Sequence, residues 1–411
     1  MEKAKTDKYP RIILDPVHGF IELSPLQDEL LAQPELQRMR WVKQLGLIDL
    51  IFPGAHHSRI EHCLGSSFVA TKIAEHLKLP EKERELVQAA GILHDIGHTP
   101  FSHVLEPVLP KDSMETTRDM IEGRTEIPLP NAGHIPEILK RHGINPKDVS
   151  DLICHAYKGK KYLQQIIFSE IDCDQIDYLA RDSYYTGSTH GQIHVQRLLS
   201  IMRLVDNEIC FVEKGLTEIE EFLVGREHMY TSIYLHHTGN AAAKMLLRAF
   251  ESLKDKIPNF LYMTDAEVIA SLLNGTKYTR DIMQRILYRR LFKRAFEISS
   301  RKFTKADIEL VKKASKIGEK KLEAELTKKA GIPEGYLFVH LPANALSLSE
   351  PRMKNFNIKF VRKDNSSINV TEISTLVQAL ANRVTPKELF AVYTPLEYRE
   401  KAASSARAFF A

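Results

Sequence analysis

From residue 25 to about residue 296 the apolar residues of this chain recur at helical spacing, as in Leu64, Phe68, Val69, Ile73 and Leu77, and again in Val87, Ala90, Gly91 and Leu93. Each such segment carries one apolar stripe that has to be buried against another element. Pro53-Gly54, Pro80, Pro110, Gly143 and Pro258 punctuate the pattern as turns between helices. The spacing predicts an all-α body. After about residue 298 the pattern changes. Residues 305–329 read as one charged helix, and 336–339, 357–361 and 390–393 read as strands, with a turn over 364–367 and a helix from 371 to about 383. The expected fold is therefore mainly α, with a helical domain over 1–298, a smaller α+β lobe over 299–411, and a frayed tail over 402–411.

A chain of 411 residues can bury a substantial core. Lys and Arg number 57 against 53 Asp and Glu, a surplus of +4. That balance suits an anionic nucleotide, but the basic residues are interspersed with acids, so nucleic-acid binding stays open and is not expected. Cys63, Cys154, Cys173 and Cys210 have no CxxC spacing and are too few for a disulfide framework. No signal-peptide-like segment is present and no apolar run approaches the ~18 residues that span a bilayer. The expectation is a soluble, cytoplasmic protein that does not engage membranes.

The stretch Ala90-Gly91-Ile92-Leu93-His94-Asp95 sets an imidazole beside a carboxylate at the end of an apolar run. This is a donor mix that divalent metals accept. His62 upstream and Asp174 downstream are further candidate ligands. Any one of these is more often a satisfied core histidine or a surface aspartate. Their order, His, then His-Asp, then Asp, resembles the HD superfamily of metal-dependent phosphohydrolases, in the branch that removes triphosphate from deoxynucleoside triphosphates. The same likeness runs through Asp15-Pro16-Val17-His18-Gly19, Gln37-Arg38-Met39-Arg40-Trp41, Phe52-Pro53-Gly54-Ala55 and Tyr178-Leu179-Ala180-Arg181-Asp182, and resumes at 226–236, covering roughly the first 300 residues.

The resemblance implies an HD-domain helical core with a divalent metal on His62, His94, Asp95 and Asp174; Mn, Fe, Mg and Zn all suit that set. It places His98 and His103 at the phosphates, with His103 as general acid, Glu106 following it, and Arg59 supplying fixed positive charge. His98 is expected on the same face as His94 if the segment is helical. Asp174, Asp177, Tyr178, Arg181 and Asp182 fall on one helical face. By resemblance Gln44, Tyr178, Asp182, Arg226 and Tyr234 contact the substrate, with Tyr178 and Asp182 at the sugar 3′-hydroxyl and Tyr234 excluding a 2′-hydroxyl. The reaction implied is hydrolysis of a dNTP to deoxynucleoside and triphosphate, by a homo-oligomer, dimer or tetramer.

Three positions depart from the family pattern. Met114 stands where relatives carry a phosphate-facing histidine, and a thioether neither carries charge nor donates a proton. Gln175 stands where some relatives carry a lysine. Ala32 stands where an aspartate reads guanine in an activator pocket, although Arg11, Gln37 and Arg40 of that region are retained. Two other readings follow: a phosphatase or phosphodiesterase acting on nucleoside monophosphates or cyclic nucleotides, and a nucleotide-sensing regulatory protein with a weakened active site.

Overall fold

In a computed structural model of the protein, which describes residues 10–299, 304–341, 356–364, 366–382 and 388–410, the chain opens with an antiparallel hairpin, β1 (Ile12–Asp15) and β2 (Gly19–Glu22). The body follows as α1 (Pro25–Leu31), α2 (Pro34–Arg38), α3 (Arg59–His76), α4 (Glu81–Leu93), α5 (Ser113–Glu122), α6 (Ile135–Arg141), α7 (Pro146–Ile153), α8 (Lys161–Ile167) and α9 (Cys173–Thr186). Helix α3 packs on α4 and on α9, and their apolar stripes meet in a core that includes Ile60, Val69, Ile73, Leu93, Ile176 and Leu179. The helix starts are fixed locally. Ser58 and Glu61 form a capping box at α3, and Asp172 accepts the Gln175 N–H at α9. These starts matter because His62 and Asp174 lie in the first turns.

The chain continues through α10 (Val195–Ile201), β3 (Met202–Val205), β4 (Glu208–Val212), α11 (Leu216–Met229), a π-helical turn Tyr230–Tyr234, α12 (His237–Glu251), α13 (Asp265–Asn274) and α14 (Lys277–Leu287). It then forms β5 (Lys293–Ser299), α15 (Lys305–Ile317), α16 (Glu319–Ala330), β6 (Phe338–His340), β7 (Lys359–Val361), β8 (Ser367–Asn369), α17 (Val370–Ile373), α18 (Thr375–Ala381), β9 (Glu388–Thr394) and α19 (Arg399–Phe410). Strands β5, β9 and β6 make an antiparallel sheet in the order β5-β9-β6. A second sheet has the order β3-β4-β7-β8, in which β7 runs parallel to β4 with Phe360 opposite Phe211. Residues 356–381 thus return to the body, where Phe356, Phe360, Val370 and Val377 are buried in its core.

The fold is mainly α, with a smaller sheet-containing C-terminal region. Four local expectations are corrected. The body is not purely helical, since β3 and β4 form a hairpin inside it. The charged helix over 305–329 is two helices, α15 and α16, separated at Gly318. The helix expected from residue 371 breaks at Ser374, whose hydroxyl caps α18, and residue 383 lies outside the described residues. The tail is not frayed: it is helix α19, with Ala402 and Ala406 fully buried against the lobe. A run of alanines packs closely where larger side chains would not, and its low hydropathy hides that role from a periodicity reading. No helix among the described residues is long and apolar enough to cross a membrane.

Candidate active site

His62, on the first turn of α3, and His94, which ends α4, bring their Nε2 atoms to 3.1 Å of each other. Asp174 Oδ1 lies 3.0 Å from His62 Nε2 and 3.8 Å from His94 Nε2, and Asp95 Oδ1 lies 3.3 Å from His94 Nε2. The outward nitrogens are already committed. His94 Nδ1 is 2.8 Å from the Gly91 carbonyl, and His62 Nδ1 is 2.7 Å from Asp177 Oδ2. A carbonyl or carboxylate there accepts a hydrogen bond from Nδ1–H, so both Nε2 atoms face the same point. Two lone pairs and two carboxylates converging on one point call for a cation. In the protein alone a proton meets that need: burial would push His62 down, but the Asp174 and Asp177 carboxylates outweigh it and hold its imidazole up at about 10. Donor atoms 3.0 to 3.8 Å apart also match the edges of a coordination shell with metal–ligand distances of about 2.1 Å. The four residues therefore fit a divalent ion, which would displace that proton.

Next to this cluster sits an acid–base group. His98 Nε2 is 3.2 Å from Asp95 Oδ1, and its Nδ1 is 3.2 Å from Glu106 Oε1. Glu106 Oε2 lies 3.1 Å from His103 Nδ1, so one carboxylate sits between two imidazoles and is hydrogen-bonded to His103. Those histidines hold the Glu106 carboxyl well below its ordinary range, although burial works the other way. Arg59 is buried and bridges the two groups. It is paired with Asp95, donates from Nε to Ser102 Oγ at 2.8 Å, and places Nη2 3.4 Å from His103 Nε2. The His103 side chain is 72% exposed, the one member of this set that faces open solvent.

His98 does not continue α4. The helix ends at Leu93, and α5 packs so closely on the turn that follows that a Cβ at Gly97 would overlap the Ser113 carbonyl and lie 2.6 Å from the Thr117 nitrogen, so only glycine fits there. The following loop is strained, with Phe101 and Ser102 both left-handed at φ 57° and 58°. Asp265, at the start of α13, holds it in that shape by accepting the Phe101 N–H at 2.7 Å and the Lys43 N–H at 3.0 Å. Arg38 adds two bonds from Nη2, to the Ile96 and His98 carbonyls. Asp265, Arg38, Asp177, His18 and His57 carry this second layer, and none was a candidate site residue from sequence. Arg38 and His18 stood inside family-like motifs and Asp177 on the shared face of one helix; Asp265 had no local signal at all.

On the other side of the cluster are the aromatic residues. The Tyr178 ring lies 6.5 Å from His62 and 6.2 Å from Tyr234. The Tyr234 hydroxyl donates to Asp182 Oδ2 at 2.6 Å, and His57 Nε2 is 2.8 Å from Asp182 Oδ1. Asp182 is thus buried with both oxygens engaged. The Arg226 guanidinium is buried 5.7 Å from the Tyr230 ring centre. Gln44 is anchored by its N–H to the His57 carbonyl, and its buried amide oxygen has no hydrogen-bond partner among the described residues. The residues of α9 divide their labour, with Asp174 and Tyr178 half-buried at the cluster while Asp177 and Arg181 are buried behind it. Met114 is 40% exposed on the first turn of α5. Gln175 is fully buried and donates to the Ser169 carbonyl at 2.7 Å, which makes it part of the turn before α9. Ala32 ends α1, Arg11 pairs with Asp28 on the surface, and Arg40 reaches Gln37 at 3.4 Å.

Residues 59–182 match the HD domain, and residues 193–411 match the HD associated region. The uncharacterized protein YwfO of Bacillus subtilis is 35% identical over 251 residues, 59% of this chain and 56% of that protein. The human deoxynucleoside triphosphate triphosphohydrolase SAMHD1 is 30% identical over 342 residues, 69% of this chain and 54% of that protein. The chain spans little more than half the length of these two relatives. The crystal structure of a hypothetical protein from Aquifex aeolicus has a TM-score of 0.77 at 29% identity, covering 97% of this chain and 100% of that one. The crystal structure of a phosphohydrolase from Bacteroides thetaiotaomicron gives 0.71 at 25% identity, covering 94% and 99%. HD domains bind divalent metals, and His62, His94 and Asp95, whose donor atoms lie close enough together to hold one, fall inside the matched region. With the HD domain over its helical body and the HD associated region from residue 193 onward, the chain belongs to the HD-domain phosphohydrolase family.

Proposed function

We propose that the protein hydrolyses deoxynucleoside triphosphates to deoxynucleoside and triphosphate. The observation that carries this reading is the juxtaposition of a four-residue metal-ligand cluster with His98, Glu106 and His103 on one side and Tyr178 and Tyr234 on the other. The name of the human relative points the same way. In this reading His62, His94, Asp95 and Asp174 hold the divalent ion, which would lower the pKa of water and screen phosphate charge. Arg59 and His98 face the anionic oxygens, Arg59 directed by its pairing with Asp95 and His98 lying between Asp95 and Glu106. His103, oriented by Glu106 and open to solvent, donates a proton to the departing 5′-oxygen. Tyr178, Tyr234 and Asp182 form the sugar wall, and the unpartnered Gln44 oxygen offers an acceptor to a substrate hydroxyl. We take residues 1–298 and 299–411 as the two working units, the second lending residues 356–381 to the core of the first, and a homo-oligomer as the working assembly.

The test is product identity with dGTP, dATP and dTTP, each with Mn, Mg and Fe in turn. Chromatography should show deoxynucleoside, and phosphate release should require added pyrophosphatase. Monophosphate products would favour a phosphatase of the same fold. Metal-dependent dNTP binding without turnover would favour a sensor, the reading to which the apolar, exposed Met114 lends weight.

A further inference from the structure

The motif Asp15-Pro16-Val17-His18-Gly19 forms the turn between β1 and β2, and its polar side chains point inward while the strands barely pack. Ile12, Leu14 and Phe20 are 57, 72 and 75% exposed, whereas Asp15 and Ile21 are the buried residues of the two strands. The attachment to the body is therefore largely polar. Asp15 Oδ2 accepts from Arg181 Nη1 at 2.8 Å, and Asp15 Oδ1 accepts the Val17 and His18 N–H groups at 2.9 and 2.8 Å. The His18 side chain is 3% exposed, lies against the Phe68 ring, and brings Nε2 to 2.6 Å of Asp177 Oδ1. Arg181 donates to both Asp177 oxygens at 2.9 Å, and Asp177 Oδ2 holds His62 Nδ1. Helix α3 leaves no slack here, since a Cβ on Gly65 would overlap Asp177 Oδ1 and Arg181 Nη2.

We propose that this turn is a clamp on the metal site. His18 and Asp15 act through Asp177 on His62, so that seating of the hairpin and binding of a divalent cation strengthen each other. His18 is a positioning residue: it touches neither the cation nor a substrate, and it sets the plane of the carboxylate that aims a ligand. The inference rests on His62 being a metal ligand. Reciprocity is a thermodynamic necessity once the two are coupled, because whatever the hairpin adds to metal affinity the metal returns to the hairpin. Partners behind a ligating histidine typically change metal affinity 10-fold to 100-fold, which sets the scale.

The experiment titrates the full-length protein with Mn2+, reading free ion by electron paramagnetic resonance. His18→Ala should bind Mn2+ about 10-fold to 100-fold more weakly, and His18→Gln, whose amide can still donate to Asp177, should stay within about threefold of the natural protein. Wild-type affinity in His18→Ala, whatever its melting temperature, overturns the clamp and leaves the metal assignment intact. A second arm needs no variant. Amide exchange at Val17, His18 and Leu23 should slow several-fold on adding Mn2+ to metal-free protein, and unchanged exchange there overturns the proposal. Failure of the natural protein to bind Mn2+, Mg2+, Fe2+ or Zn2+ would remove the metal assignment and the clamp together.

Discussion

At the residue scale, the histidines and acids around the cluster are not interchangeable, because burial differs sharply among them. Asp174 has a side chain that is 31% exposed, whereas His62 is 1% exposed and faces Asp177. Asp174→Ala should therefore lose bound metal and most hydrolysis while its metal-free form melts near the natural protein. His62→Ala should lose metal as well, but it leaves the Asp177 carboxylate short of a partner, so its metal-free form should be less stable by about 1 to 3 kcal/mol. Elemental analysis and calorimetry on the same samples check both. Full metal occupancy in Asp174→Ala would contradict the ligand assignment. Tyr234 separates ring from hydroxyl: Tyr234→Phe keeps the bulk beneath the sugar and frees Asp182, whereas Tyr234→Ala removes the bulk. The ratio of dNTP to ribonucleotide turnover should change by about 10-fold to 100-fold in Tyr234→Ala and much less in Tyr234→Phe. Equal ratios in both would take Tyr234 out of the sugar wall.

At the element scale, what could be read in the sequence depended on whether a residue's partner was near in the chain. The helical stripes of α3 and α4 and the His-Asp doublet are local patterns, and they were legible. The β3–β4 hairpin was overlooked although it carries a signal, Asp206-Asn207, both left-handed in a tight turn between two short apolar runs. Asp265 was beyond reach, because its partners Lys43 and Phe101 are 222 and 164 residues away. That residue is testable. Asp265→Ala orphans the buried Phe101 N–H and the part-buried Lys43 N–H and releases a loop strained at Phe101 and Ser102, which should lower stability by about 2 to 4 kcal/mol. Since the loop carries His103 and not a metal ligand, kcat should fall while Mn2+ affinity holds. A loss of metal together with activity would place Asp265 behind the cluster instead.

At the scale of the whole molecule, the body and the lobe are joined by charge as well as by the crossing strands. Arg248 on α12 donates to Glu319 and Glu323 on α16, and Lys244 donates to Glu319, in a half-buried network. Glu323 and Glu319 in turn accept the Val339 and Leu341 N–H groups. Breaking one partner of a fully buried pair costs about 3 to 5 kcal/mol and of this half-buried network less, so Arg248→Ala should expose the lobe to limited proteolysis while leaving metal content unchanged. Unaltered proteolysis would mean that the strand crossover alone holds the lobe. Metal should act in the opposite sense: at 100 times its dissociation constant it should add about 2.7 kcal/mol of stability, lost again on chelation. The central claim remains chemical, and hydrolysis of a dNTP in H2(18)O tests it most directly. Attack of water at the α-phosphorus places the label in the triphosphate product and none in the deoxynucleoside, with no reaction in chelator. Label in the nucleoside hydroxyl, or a labelled monophosphate with free pyrophosphate, would contradict the account.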